Sequence, residues 1–290
     1  MPASIMPEER RRGHRGLALG IALAALVSLV AYREIQARIH RAPDPVAVPA
    51  SVIDRLKSVA PAALGAGSVG GASRLRSVRP PPVLLTSSGR VVVTYIGAEY
   101  CPYCAAERWA LVEALYRFGS FRGLEATESS PLDAYGGTPT FTFVHATYQS
   151  PMVEFRSLEM QSNNPDGLLG ALLGTYGDLQ RPDAFEQGLL ATYDRPPYAS
   201  ESGVIPFIDV ANRYISTGAG FSPGVLRGLT MEEIAERLSD PSSPVARAVN
   251  REANLLAAAI CRTDGARPAD VCLSAWVTDA SGRLASSSAG

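Results

Sequence analysis

Residues 91–118, VVVTYIGAEYCPYCAAERWALVEALYRF, carry the reading of this chain. The apolar run Val91–Ile96 is rich in β-branched residues and stops at Gly97, which predicts a buried strand. Four residues further on stand Cys101-Pro102-Tyr103-Cys104. Behind them Trp109, Val112 and Tyr116 fall on one face of a helix, with Leu111, Leu115 and Phe118 beside it. A CxxC therefore sits where a strand hands over to a helix. Backbone N–H groups at a helix start favour negative charge, which lowers a thiol pKa and promotes the thiolate that attacks disulfides. Cys101 is the nucleophile candidate, and Cys104 lies one turn in, close enough to join it. Pro102 suits a first turn whose N–H has no partner. Strand–CxxC–helix is the thioredoxin-like redox pattern.

The 290 residues have room for one large domain or two small ones. A net charge of −1 leaves no basic footprint, so no nucleic-acid partner is expected. The cysteines form two close pairs, Cys101/Cys104 and Cys261/Cys272, and an even, locally paired set suits an oxidising compartment. Zinc is the competing explanation, but the second spacing is wider than the CxxC knuckle that zinc sites favour. Neither a metal nor a bound cofactor is expected.

Residues 1–16 are polar and basic, and Leu17–Tyr32 then runs without a charge. As a helix this run is about 24 Å long, against a hydrocarbon core of about 30 Å, with Gly16 and a snorkelling Arg33 to extend it. A single-pass membrane anchor over 17–32 is expected, with 1–16 cytoplasmic and the rest of the chain extracytoplasmic at the cell membrane. A cleaved signal fits less well, because no small-x-small site follows. A buried helix fits less well still, because the run is apolar all round. Residues 33–82, rich in proline and glycine, read as a tether, in which Ser51 caps a short helix with Val52, Leu56 and Val59 on one face.

The folded domain is placed at 83–276. Strands are expected over 83–86, 91–96, 138–147 and 153–158, then a helical insertion at 163–195, then strands within 203–218 turning at Ala211–Arg213. Thr230 and Glu233 have the spacing of a capping box, Pro244 opens a final helix, and 277–290 is expected to be disordered. At single positions, Glu99 is expected in solvent, Trp109 in the core and His145 as a structural residue on a strand. Glu107 reads as a solvated helix residue or a proton acceptor for Cys104, and Asp209 as such an acceptor or a partner for nearby backbone. Tyr100 and Tyr103 flank the thiols as substrate-contact candidates.

The strings YIGAEYCPYCAAERWAL (95–111), TPTFTF (138–143), IPFIDVANRY (205–214), LTMEEIAERL (229–238) and EANLLAAAICRTDGARPADVC (252–272) together resemble the family catalogued as domain of unknown function 929, over roughly 83–272. The resemblance implies an α/β, thioredoxin-like mixed sheet with flanking helices, tethered to a membrane. In thioredoxin-like proteins a cis-proline faces the CxxC. Pro206, preceded by Ile205, matches that place, so the resemblance adds Pro206 to the catalytic candidates Cys101 and Cys104, and Ile205 to the substrate contacts. Closing the loop between Cys261 and Cys272 would stabilise the fold by about 3 kcal/mol, which favours a structural disulfide over a redox relay to the CxxC. The expected function is a membrane-anchored thiol–disulfide oxidoreductase acting on protein thiols or disulfides of exported proteins, with a membrane redox partner in view. The alternative is a noncatalytic thioredoxin-like binding module with structural disulfides.

Overall fold

A computed structural model describes residues 8–39, 41–66, 74–78 and 88–286. Its first helix, α1 (Glu8–Ile39), leaves Leu17, Leu19, Ile21, Leu23, Leu26, Val27 and Leu29 exposed, so it is no core helix. Among the described residues no helix is long and apolar enough to cross a membrane, and the anchor expected over 17–32 finds no support. The charge-free run is sixteen residues, closed by Arg33 after Tyr32.

Among its described residues the stretch read as a tether forms short helices and strands and buries apolar side chains. The short β1 (Val46–Ala47) is followed by α2 (Ala50–Lys57), which buries Val52 and Leu56, and by α3 (Pro61–Ala66), which buries Ala63 and Leu64. Leu75 is fully buried just before β2 (Arg76–Ser77). The prolines misled because Pro49 is the N-cap of α2 and Pro61 opens α3, positions where a missing N–H costs nothing. Helix α2 therefore starts before Ser51, which caps nothing. The strand expected over 83–86 lies outside the described residues.

The body of the fold follows as β3 (Val91–Gly97), α4 (Pro102–Tyr116), β4 (Ser120–Arg122), β5 (Glu125–Glu128), β6 (Pro139–Thr142), β7 (Thr147–Gln149) and β8 (Val153–Glu159). β3 is buried at every residue and pairs in parallel with β8 along its whole length. Its near-continuous apolar run is what a strand covered on both faces requires. Val91, Val93 and Tyr95 pack toward α4, and Ile96 toward the opposite face. The strand expected over 138–147 is split: β6 ends at Thr142, the chain turns at Val144–His145, and β7 pairs with β4 instead. His145 thus sits in an exposed turn, with Nδ1 2.8 Å from Glu125 Oε2.

Next come β9 (Gln161–Pro165), α5 (Gly167–Leu173), β10 (Tyr176–Asp178) and α6 (Ala184–Tyr193). The insertion expected to be helical over 163–195 therefore contains an antiparallel β9–β10 pair, because Gly174 in the left-handed region stops α5 after seven residues. β11 (Phe207–Val210) and β12 (Tyr214–Thr217) form a hairpin that turns at Ala211 and Asn212, both at positive φ, where the turn is expected. Among the described residues the central sheet runs β2-β12-β11-β3-β8, with β3 and β8 parallel and its other pairs antiparallel. This is the mixed α/β sheet with flanking helices that the sequence implies.

The chain closes with α7 (Met231–Arg237), α8 (Pro244–Thr263), α9 (Ala269–Cys272) and α10 (Ala275–Ser286). Thr230 and Glu233 make the reciprocal capping box at α7. α8 lays Ala257, Ala258 and Ala259 into the core that it shares with α4. α8 is not the last helix, and the tail expected to be disordered from 277 is corrected. Val277, Ala280 and Leu284 form a buried stripe on α10, at helical spacing. Cys261 and Cys272 form a disulfide with Cα atoms 5.5 Å apart.

Candidate functional site: the CxxC at the end of the central strand

Cys101 is the N-cap of α4, in an extended conformation, and its Sγ accepts the Cys104 N–H at 3.3 Å. Pro102 follows in the first turn, where its missing donor is not needed. Both cysteines are free thiols. Cys101 is 6% exposed and Cys104 is wholly buried. The loop that carries them is pinned from both sides: Glu99 N–H donates to Gln161 O at 2.8 Å, and Ser130 N–H donates to Tyr100 O at 3.0 Å.

The two thiols differ in acidity. Hydrogen bonding to the Cys104 side chain and N–H, with the nearby Arg108 charge, holds Cys101 below the ordinary thiol value against the effect of burial. Burial pushes Cys104 well up, and its neighbour Cys101 adds to this. The arrangement is asymmetric, with Cys101 the more acidic of the two thiols and Cys104 the less.

Arg108 is the charged group beneath the pair. Its Nε and Nη2 hold Glu159 Oε1 and Oε2 at 2.9 and 2.6 Å, and Nη2 also donates to Ala98 O at 2.9 Å. Both side chains are fully buried. Tyr95 and Gly97 complete the floor, since a Cβ at Gly97 would collide with the Tyr95 hydroxyl and stand 3.1 Å from Cys104 Sγ.

Pro206 is buried at the start of β11, and its bond to Ile205 is cis. Phe207 pairs with Ile96, which sets Pro206 beside Gly97 at the strand end over which Cys104 stands. Ile205 is half-buried next to it. Cys101, Cys104, Ile205 and Pro206 therefore meet at one end of the sheet. Tyr103 is 43% exposed on the α4 side. Tyr100 is less available than expected, because its ring lies stacked on Tyr176 at 4.2 Å.

The family model described as Domain of unknown function (DUF929) matches residues 78–262. The chain belongs to the DUF929 family. No curated protein and no solved structure matches it. The DUF929 match contains the CxxC, Pro206 and Cys261, but stops short of Cys272.

Several charges in the DUF929 region sit where the sequence reading did not put them. Glu99 is buried, not in solvent. Glu107 is fully buried rather than solvated, and its Oε2 accepts Gly220 N–H at 2.8 Å. Burial raises Glu107 well above the usual carboxyl range, and the buried Glu252 on α8 raises it further. It faces α8 rather than the thiols. Asp209 satisfies backbone, accepting Asn212 N–H at 2.9 Å, and burial lifts its carboxyl to about 7. Trp109 is core as expected, with Nε1 donating to Pro139 O at 2.8 Å. The signal missed was Glu107, Arg108 and Glu113 in a helix apolar on every side. Such a helix has no polar face to offer them, so each must be paired inside.

Proposed function

We propose that this protein is a thiol–disulfide exchange protein of an oxidising, extracytoplasmic compartment, with Cys101 as nucleophile and Cys104 as resolving thiol on a thioredoxin-like scaffold. The observation that carries the reading is the N-cap geometry: Cys101 Sγ takes a helix N–H that otherwise has no partner, while Cys104 is buried one turn behind. Cys101 thiolate attacks one sulfur of a client disulfide, forming a mixed disulfide and releasing the other client sulfur as a thiolate. Cys104 gives its proton to that leaving thiolate and attacks Cys101 Sγ. The client leaves with both sulfurs reduced, its two electrons supplied by the Cys101–Cys104 dithiol, which is itself oxidised to a disulfide. The reverse sequence oxidises a client dithiol, so the direction is set by the redox partner. The Cys261–Cys272 disulfide supports the compartment, since a structural disulfide persists where thiols are not kept reduced.

A redox titration should find a reversible Cys101–Cys104 couple, whereas resistance below about −300 mV is the behaviour of a structural disulfide. Cys104→Ala should accumulate mixed disulfides with client proteins, and their absence would remove the exchange role. A tag after Gly290 that stays protease-protected in intact spheroplasts would remove the outward location. The second reading, a noncatalytic binding module, is favoured by the 6% exposure of Cys101, and the same trapping experiment separates the two.

A further inference from the structure

On the side of Pro206 away from β3, the sheet end opens into a cavity of about 540 Å³. Arg74 and Arg76 line it from β2 and the residues just before it, Tyr198 and Ser200 from the loop after α6, Val204 from the approach to Ile205, and Thr217 from the end of β12. Among the described residues its charge has one sign: the lining includes two guanidinium groups and no carboxylate. Arg76 Nη1 donates to Pro197 O at 3.1 Å, which fixes that guanidinium against the wall and leaves its other N–H groups for a ligand. Arg74 leans over Gly218, where a Cβ would stand 3.5 Å from its Nη1, and Gly218 N–H itself donates to Pro206 O at 2.8 Å. The cavity is therefore physically joined to the proline that borders the thiols. The Thr217 hydroxyl is spent on Tyr198 O at 2.8 Å. Among the described residues Arg74 makes no hydrogen bond or ion pair. Glu107 and Glu252, the carboxyls in its electrostatic reach, are sealed in the core beyond it.

We propose that this cavity is an anion subsite, where Arg74 and Arg76 hold a carboxylate of an extended client peptide whose cysteine stands at Cys101. The inference rests on the thiol–disulfide reading for its client and on the cavity alone for its anion. Guanidinium groups present planar forks that match a carboxylate in two parallel bonds. Tyr198 and Val204 supply apolar wall, beside which such bonds are less screened than in open water. The reach is set by the sheet. The near wall of the cavity, at Thr217 of β12, lies two strands from β3, about 10 Å at roughly 4.8 Å per strand, and Arg74 leans back over Gly218 beside it from just before β2. An extended chain covers that distance in about three residues. The client is thus one with an acidic side chain, or its own chain end, about three positions from the reacting cysteine.

The test uses the full chain and fluorescent peptides in which serine replaces the client cysteine, read by anisotropy. One peptide has Glu three positions away, its counterpart has Gln, and a further pair compares a free with an amidated C-terminus. The Glu peptide is expected to bind about tenfold tighter than the Gln peptide, and Arg74→Gln/Arg76→Gln should erase the difference. Arg74→Gln alone, at an exposed side chain, should erase much of it even where the double variant fails to fold. Equal binding of Glu and Gln peptides, or a preference that survives in Arg74→Gln/Arg76→Gln, would overturn the subsite. The cysteine forms of the same peptides, as mixed disulfides, then separate the two ideas. Arginine-dependent binding without exchange at Cys101 leaves the subsite standing and removes the redox reading. Exchange that is indifferent to peptide charge and to both arginines does the opposite.

Discussion

Tyr95 and Gly97 show how little room there is under the thiols. The Tyr95 ring is wholly buried, edge-on to Phe143 at 5.3 Å, and among the described residues its hydroxyl has no hydrogen-bond partner. Gly97 leaves the space into which that hydroxyl projects, with Cys104 Sγ on the other side. Gly97→Ala should cost about 1–3 kcal/mol in urea unfolding, the usual penalty for overpacking. Tyr95→Phe removes an unpaired buried hydroxyl and should be neutral or stabilise by up to about 1 kcal/mol. Because the added methyl and the hydroxyl compete for one space, Tyr95→Phe should recover part of the Gly97→Ala loss. Strict additivity of the two changes would show that they do not meet.

Helix α4 carries buried charges among its apolar contacts. Arg108 ties it to Glu159 at the end of β8, Glu113 pairs with Arg117 at 2.6 Å, and Arg117 reaches across to Asn254 on α8 at 2.8 Å. Both members of the first pair are fully buried, so solvent does not screen it. Arg108→Met should cost about 3–5 kcal/mol by stranding Glu159, and Arg108→Met/Glu159→Leu should be more stable than the single variant. If the double variant is no better, stranded charge is not the cause. The same substitution takes a positive charge from Cys101, so the pH at which iodoacetamide begins to modify that thiol should rise in Arg108→Met. Further along, Thr230→Ala removes half of a capping box and should cost about 1 kcal/mol by thermal unfolding.

Across the molecule, buried carboxyls set a slope in stability. Burial lifts Asp209 and Glu252 each to about 7. Between about pH 4 and pH 7 the folded chain holds protons there that the unfolded chain has released, so unfolding releases protons and rising pH favours it. Stability from this source is present below the unfolded pKa values and is lost as pH rises through about 7. The exposed Asp183 and Asp240, lowered chiefly by backbone hydrogen bonding and by the Ser242 side chain respectively, act in the opposite direction and only in the acid range. Urea midpoints should therefore fall from pH 5 to pH 8, and Asp209→Asn/Glu252→Gln should flatten that fall. The disulfide is separate from the thiol site. Arg213, at the far end of the β11–β12 hairpin, donates to Arg262 O beside Cys261, whereas Cys104 stands over Gly97. Since Val210 pairs with Val93, four strand residues, roughly 13 Å, lie between the two ends. Cys261→Ser/Cys272→Ser should thus cost about 3 kcal/mol and leave alkylation of Cys101 unchanged. A relay between the pairs would instead alter both.

The features legible in the sequence are those written in a few adjacent residues. The β-branched run of β3, the CxxC at a helix start, the Thr230–Glu233 box and the turn at Ala211–Asn212 each obey a local rule of period, capping or φ. The Cys261–Cys272 pairing is nearly as local, at a separation of 11. Proline at 49 and 61 obeys a local rule too, but one shared by linkers and helix starts, and here composition pointed the wrong way. What no local rule contains is which surface another segment will cover. Glu107 has the look of a solvated helix residue until Gly220, 113 positions away, supplies its partner and α8 closes over it. Arg74 comes to lie over Gly218, whose N–H donates to Pro206 O, only because β2 joins the sheet edge next to β12. Burial and charge pairing depend on contacts between distant parts of the chain, and so the environment of the thiols, unlike their position, belongs to the folded structure.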